Sequence, residues 1–460
     1  MHEETSQNAS PDRLLDAVVV GGGQAGLAIA WHLKREGLRF VVLEAESELG
    51  HTWRDRWDSL KLFTPAQYDG LPGLPFPARA DTYPTKDPVA EYLQTYVTAF
   101  DLPVRLNARV TSLTRIDDRF EVRTADDTFH ARHVVVATGP FQVPFVPPSA
   151  QGLEPSVTQI HSANYRNPEA LPGGPVLVVG GGNSGFQIAE ELAATRQVDL
   201  SIGERSLMLP QRLAGRDLFW WLTRLGLLRV TVDSRLGRRA SRREFIIGTN
   251  KRRLRKVGVR FRPRLVEADG QTVRFADGST LHSVNVVVWA TGYRSDYTWI
   301  HIPAPVEHGR VVHRRGVTEI PGLYFLGLSW QHTRGSALLG FVNQDAAYLA
   351  DKLTARHRTG APAKAGVTGL QRWGSRQWFM IDRKTLRLSA VLLVVGFILY
   401  VVVGLLHPDG PGPFEPEASH RAPIDDPTDP LHARSAGPSL RTVITCLVRV
   451  NELALRRETY

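Results

Sequence analysis

Asp16–Glu44 reads DAVVVGGGQAGLAIAWHLKREGLRFVVLE, and the fold class turns on it. Ala17–Val20 is a short, β-rich apolar run of the kind that forms a buried parallel strand. Gly21-x-Gly23-x-x-Gly26 then turns the chain into a helix that carries Gln24 and Ala25 in its first turn and ends near Gly37. The next strand, Phe40–Leu43, finishes on Glu44, eighteen residues beyond Gly26. Gly21 permits a tight turn, Gly23 lets backbone approach a pyrophosphate, and Gly26 lets helix and strand pack closely. The helix N-terminus offers free N–H groups to phosphate, and Glu44 can accept hydrogen bonds from ribose hydroxyls. Strand, helix, second strand and acid in register mark a dinucleotide-binding module.

The chain of 460 residues has room for two or three domains and a large core. Its one cysteine, Cys446, excludes a disulfide framework, a Cys-based zinc site and a CxxC dithiol centre, and no metal site is expected. The N-terminal stretch MHEETSQNASPDR is polar and lacks an apolar h-region, so folding in the cytosol is expected.

Beyond Glu44, residues Glu48–Pro77 are dense in Trp, Pro and Gly, and their large aromatics Trp53, Trp57 and Phe63 predict an ordered loop packed over a ligand. A helix is expected over Pro88–Phe100, with short strands at Val104–Leu106, Arg109–Arg115, Arg119–Thr124 and Thr128–Ala131. Val134–Val136 reads as a separate buried strand running into Ala137-Thr138-Gly139.

A second fingerprint begins 159 residues after the first. PVLVVGGGNSGFQIAEELA (Pro175–Ala193) again gives strand, Gly180-x-Gly182-Asn183-Ser184-Gly185 and helix, followed by a strand at Val198–Ile202. Gly203 stands at the position equivalent to Glu44, with Glu204 and Arg205 next. A small residue followed by an arginine suits the 2′-phosphate of NADP, which favours NADPH over NADH. From Arg205 through Arg264 there are eighteen Lys or Arg residues. Such a run reads as a solvated face, with coenzyme steering or contact with an anionic membrane as alternatives. Nucleic acid is not expected, because the run sits inside a dinucleotide module. Asp217–Leu228 reads as a buried helix. Val286–Trp289 leads into Ala290-Thr291-Gly292, so both modules end in the same strand–ATG element. Gly322–Gly327 and Ser336–Leu353 predict one more strand and a helix.

The tail carries Leu388–Leu406, nineteen residues without a charge. That is ~28 Å of helix against a ~30 Å hydrocarbon core. Arginines and lysine at 372–387 precede it, which predicts a single-pass cell-membrane protein with its catalytic domains in the cytoplasm. Residues 407–460 are Pro-rich, reading as disordered to Pro438, with an amphipathic stretch over Leu440–Leu455.

The two fingerprints, the two ATG elements and His161-Ser-Ala-Asn-Tyr165 between them resemble the flavin-containing and N-hydroxylating monooxygenase superfamily. RWDSLKLFTP, YPTKD, WATGY and GSALLGFVNQDA look most like bacterial flavoproteins of that superfamily, some of them labelled as involved in potassium transport. The resemblance covers about residues 14–355. Pro155 and Val157 replace the Phe and Gly of the family's FxGxxxHxxxY marker.

The resemblance implies an α/β fold of two Rossmann-like domains, the NADPH domain inserted in the FAD domain, followed by the transmembrane helix. Residues 1–150 would begin the FAD domain, 151–295 form the NADPH domain, 296–355 complete the FAD domain and 356–387 form a basic linker. It implies FAD held by Gly21, Gly23, Gln24, Ala25, Gly26 and Glu44, with Trp53, Lys61, Thr64 and Ala137–Gly139 around its isoalloxazine and pyrophosphate. Gly180, Gly182, Asn183, Ser184, Gly185 and Arg205 would bind NADPH, and Ala290, Thr291 and Gly292 also count as cofactor-binding. In such enzymes NADPH reduces FAD, O2 adds at flavin C4a, and retained NADP+ protects the adduct. The expected reaction is oxygenation of an apolar N-, S- or carbonyl-containing small molecule. The alternative is a flavin-dependent NADPH oxidoreductase or redox-sensing subunit of a membrane transport system. Phe63 stands where relatives place Asn or His, no residue receives a catalytic role, and a homodimer is left open.

Overall fold

The computed structural model describes residues 14–203, 206–303, 306–307 and 310–359. Among them no helix is long and apolar enough to cross a membrane. The predicted span 388–406, the tail 407–460 and all but the first residues of the linker lie outside the described residues.

Two sheets carry the molecule. In the first, Leu15–Val20 lies between Phe40–Leu43 and Thr128–Val136, all parallel, with Val104–Arg105 beyond Phe40–Leu43. Every residue of Leu15–Val20 is buried, as a parallel strand covered on both faces requires. Side chains alternate across it. Ala17 and Val19 pack beneath the helices Gln24–Arg35, Lys86–Ala99 and Asn343–Thr359. Val18 and Val20 enter the core shared with Leu113, Phe120 and Val122.

The two strands expected at Thr128–Ala131 and Val134–Val136 are one. Its first half pairs antiparallel with Arg119–Arg123, which continues into Ser112–Ile116. Its second half pairs parallel with Leu323–Phe325 on the same edge. The strand thus passes from a half-exposed hairpin into a doubly buried centre, and the change of pattern at Arg132 imitates a break.

The second sheet is wholly parallel, in the order Arg260–Arg262, Val198–Ser201, Val176–Val179, Val286–Trp289, Thr158–His161. Val176 and Val178 face the helix Asn183–Leu192, and Leu177 and Val179 face the strands Leu265–Asp269 and Thr272–Phe275. In the chain this sheet falls between Thr128–Val136 and Leu323–Phe325. The chain therefore crosses between the sheets twice, and the crossings pair with each other, Tyr293 against Pro144 and Arg294 against Val143.

Two helices differ from expectation. Asp217 caps Leu218–Arg224, and Gly226, at φ 72°, ends the run before Leu228. The closing helix starts at Asn343 rather than Ser336. Gly340 lies against the carbonyls of Tyr68 and Gly70 with no room for a Cβ, so the chain from Arg334 to Ala337 makes one tight turn and must change direction before the helix begins.

Candidate active site between two nucleotide cradles

Both fingerprints are built alike. Gly21, at φ +108°, would bring a Cβ within 2.7 Å of the Ala137 carbonyl oxygen, and Gly180, at φ +141°, would drive one into the Ala290 carbonyl. The registers explain the match, since Val20 pairs with Val136 and Val179 with Trp289, bringing each ATG turn beside its fingerprint. Gly26 and Gly185 would collide with the carbonyls of Gly21 and Gly180. Around Gly23, Gly182, Gly139 and Gly292 a Cβ would meet nothing within 4 Å. The helices beginning at Gln24 and Asn183 have no side-chain cap and no acid in the first turn. Their N–H groups, including those of Gln24, Ala25 and Ser184, are thus left for an anion. Two open, donor-rich cradles fit the pyrophosphates of FAD and NADPH.

Glu44 completes the first cradle. Its carboxylate accepts from Gly22 N at 2.7 Å and Glu46 N at 3.1 Å, which fixes it beside the loop. In the second cradle Gly203 has the Arg264 guanidinium 3.0 Å from where its Cβ would be. Arg205 lies outside the described residues.

Several predicted side chains are already committed. Thr64 is buried, and its hydroxyl donates to Asp69 Oδ1 at 2.5 Å. Asn183 donates to Phe245 O at 2.7 Å and accepts from Ile247 N at 3.1 Å, clamping Phe245–Ile247. Thr138 accepts from Gln142 Nε2 at 2.9 Å, and Thr291 donates to Phe145 O. These four leave their backbone rather than their side chains to a ligand. Lys61 is exposed, and Trp53 packs against the cores of both sheets.

His161 receives a hydrogen bond on Nδ1 from Ala163 N and donates from Nε2 to Gly292 O, at 3.1 and 3.0 Å. Burial lowers its pKa, with Gly292 acting in the opposite sense and Arg56 adding to the fall. A neutral, doubly bonded imidazole at the crossing is a strut. Tyr165, fully buried, donates to Glu191 Oε2 at 2.8 Å.

Residues 207–247 reach back over the first module. Phe219 stacks on Phe63 and Phe341 with centroids 6.0 Å apart, and Tyr68 stacks on Phe341 at 6.0 Å. Asp217, buried, accepts from Tyr83 OH at 2.6 Å, Gln211 Nε2 at 2.9 Å and Phe219 N at 2.6 Å. Gln211 Nε2 also donates to Phe63 O at 2.9 Å. A cavity of 440 Å³ lies behind this aromatic wall, lined by Tyr68, Leu71, Phe76 and Phe341 among others. No local sequence signal connects Phe63, Phe219 and Phe341, and none marks Asp69.

Asp69 is fully buried, and its Oδ2 has no partner. Burial pushes its carboxyl up to about 7, against the pull of Thr64. The folded protein therefore holds this proton more tightly than the unfolded chain, at ~3.9. Stability should fall as pH rises from about 4 to about 7 and level off above. Asp69→Asn, neutral throughout, should lead the wild type by about 1 kcal/mol near pH 4.5 and by on the order of 4 kcal/mol at pH 8 in denaturant titrations. A gap that stays constant with pH would refute a buried, titrating Asp69.

Comparison with known proteins places this geometry. Residues 18–209 match the family model described as pyridine nucleotide-disulphide oxidoreductase. These residues contain no cysteine. An uncharacterized CzcO-like oxidoreductase of Geobacillus kaustophilus is 45% identical over 343 residues, 74% of this chain and 98% of the relative. The probable indole-3-pyruvate monooxygenase YUCCA9 of Arabidopsis thaliana is 30% identical over 72% of this chain and 85% of its own. Among solved structures, a flavin-containing monooxygenase from Stenotrophomonas maltophilia superposes with a TM-score of 0.64 at 28% identity, covering 75% of this chain and 99% of that one. The chain belongs to the flavin-containing monooxygenase superfamily, alongside the CzcO-like oxidoreductases, and is an enzyme that uses FAD and NADPH.

Proposed function

We propose that this enzyme uses NADPH and O2 to oxygenate an apolar N-, S- or carbonyl-containing small molecule. The observation that carries the reading is a pair of matched nucleotide cradles in one molecule, beside an aromatic wall contributed by both modules and with no cysteine among the described residues. Bound FAD supplies the redox chemistry, taking a hydride from NADPH and passing electrons to O2. The protein's part is to bind, to orient and to keep water out. Gly23 and Gly182 admit the phosphates, and Glu44 receives a ribose. Phe63, Phe219 and Phe341 present carbon rather than polar atoms, which suits an apolar substrate and a dry site.

Phe63 also favours a second reading. Its ring offers no hydrogen bond where relatives place Asn or His, and Gln211 and Phe219 hold it in position. Phe63 would then give no hydrogen bond to favour oxygen transfer over release of H2O2, the reductase outcome. FAD-loaded protein, reduced anaerobically by NADPH and mixed rapidly with O2 in the presence of amines, sulfides and ketones, separates the two. We expect an oxygenated product with at least one substrate class. Stoichiometric H2O2 with every candidate would sink the monooxygenase reading.

Membrane tethering through 388–406 belongs to the same proposal and is supported by that uncharged run. For the 2′-phosphate we propose Arg205, with Arg264 lying beside Gly203 as a second cation near the same strand end. A charge-assisted contact is worth ~1.5–3 kcal/mol. Arg205→Ala should therefore raise the KM for NADPH about tenfold and leave NADH nearly unchanged. Equal losses with both coenzymes would move the phosphate site elsewhere.

Gly23 and Gly21 should separate binding from folding. Gly23→Val has free space in the protein itself, so it should fold with the melting temperature of FAD-free wild type yet purify colourless. Gly21→Val, strained at positive φ against Ala137, should lose stability outright, by more than ~2 kcal/mol. Full FAD content in Gly23→Val would show that the first cradle has been misassigned.

A further inference from the structure

Arg334 stands where the two modules meet. It opens the turn Arg334–Ala337, capped by Thr333, in the segment that follows the last strand of the first sheet. Ala337 O accepts from Gln24 Nε2 at 3.2 Å, which ties the turn to the start of the first fingerprint helix. His332 O accepts from Val232 N at 2.9 Å and Thr333 pairs with Thr231, which ties it to the second module. The acid within electrostatic reach is Glu244. That residue accepts from Asn183 Nδ2 at 3.4 Å, at the start of the second fingerprint helix, and its neighbour Phe245 lies against Trp330 with centroids 6.4 Å apart. Arg334 is thus linked to both phosphate-facing helix starts.

Its side chain is half-buried, and burial lowers the guanidinium's pKa despite the pull of Glu244. Among the described residues the guanidinium enters no ion pair and no hydrogen bond. Most other half-buried arginines are paired. Arg315 pairs with Asp345 at 2.8 Å, and Arg262 with Asp199 at 2.8 Å. A guanidinium carries five donors in a rigid fork, and none of those of Arg334 is sealed in the interior, so they stay open to a ligand. Glu244 does not satisfy it, being beyond pairing distance and itself raised in pKa by its surroundings, with Arg334 and Asn183 opposing that rise. A positive group held in place without a counter-charge fits an anion that arrives with a ligand.

We propose that Arg334 is an anion-recognition site at the junction of the modules, completed by an anionic oxygen group of a bound molecule. Two sources share that chemistry: a phosphate of the dinucleotide, or the carboxylate of an acidic substrate. The inference rests on the function proposed above, in which both modules are loaded.

Full-length, FAD-loaded wild type, Arg334→Met and Arg334→Lys decide it through binding rather than turnover. Anaerobic flavin reduction by NADPH gives a Kd for the coenzyme. Titration of the oxidised flavin spectrum with phenylacetate and with neutral phenylacetamide isolates recognition of a carboxylate. If phosphate is the anion, Arg334→Met should raise the NADPH Kd at least tenfold and leave the phenylacetate titration alone. If a carboxylate is the anion, the variant should lose the preference for phenylacetate over phenylacetamide and keep its NADPH Kd. Arg334→Lys keeps the charge without the fork, so it should lose several-fold on whichever probe is concerned. Should Arg334→Met fail to fold, the same two titrations of Arg334→Lys decide between the outcomes. Unchanged affinity for both probes overturns the proposal. A wild type that takes up no FAD would remove the functional reading as a whole, whereas silent variants of a flavin-loaded, NADPH-reducible protein remove this inference alone.

Discussion

The close approach of a glycine to an alanine carbonyl, made once in each module, is the constraint on which the rest depends. Gly21 against Ala137 and Gly180 against Ala290 leave no space for a side chain. With each first glycine in place, the third glycine of the fingerprint must lie on its carbonyl, and the helix axis follows. The second glycine is then the residue that touches nothing, and the first turn of the helix faces the same space. A phosphate cradle is therefore what remains when strand, turn and helix pack as closely as backbone allows. The protein makes it twice because both central strands set the same register with the ATG strand beside them.

How the two cradles are held together is a different problem, solved with polar groups. The paired crossings at Val143–Pro144 and Tyr293–Arg294 make only a short antiparallel contact. Asp217 adds a buried carboxylate that gathers Tyr83 from the first module and Gln211 and Phe219 from the second. An ion in such a place is tolerated because three donors replace its water. Losing one of them would leave the charge short of partners, so the latch is directional and specific where an apolar contact would slide. It also explains the basic run. Leu218 and Phe219 turn inward while Arg212, Arg216, Arg224 and Arg229 remain exposed, so many of the arginines occupy a solvated face.

Legibility in the sequence follows the range of the interactions. The fingerprints can be read because their demands fall on six consecutive residues, and Glu44 because a helix of fixed rise separates it from them. The start of the closing helix is hidden for the converse reason. Ser336–Leu353 is apolar at helical spacing, but the backbone of Gly340 is pressed against Tyr68, 272 residues away, and no local pattern records that. Thr64 and Asn183 sit in the right segments while their side chains serve Asp69 and Phe245. Asp69, Asp217 and Arg334 read in isolation as ordinary surface charges. Their burial and their partners, or lack of them, exist only after the chain has folded.

The junction itself divides by polarity. On one side stand Arg334, Glu244 and Asn183, beside the start of the second fingerprint helix. On the other stand Phe63, Phe219, Phe341 and Tyr68, stacked ring on ring. A surface of stacked rings excludes water, whereas charges held beside it would bring their hydration with them. The stacking of the aromatic wall depends on polar groups outside it. Phe63 is held through its carbonyl by Gln211, Gln211 by Asp217, and Asp217 also caps the helix that carries Phe219. The order of the aromatic wall therefore rests on a buried acid outside it, and a change at Asp217 would loosen Phe63 and Phe219 together.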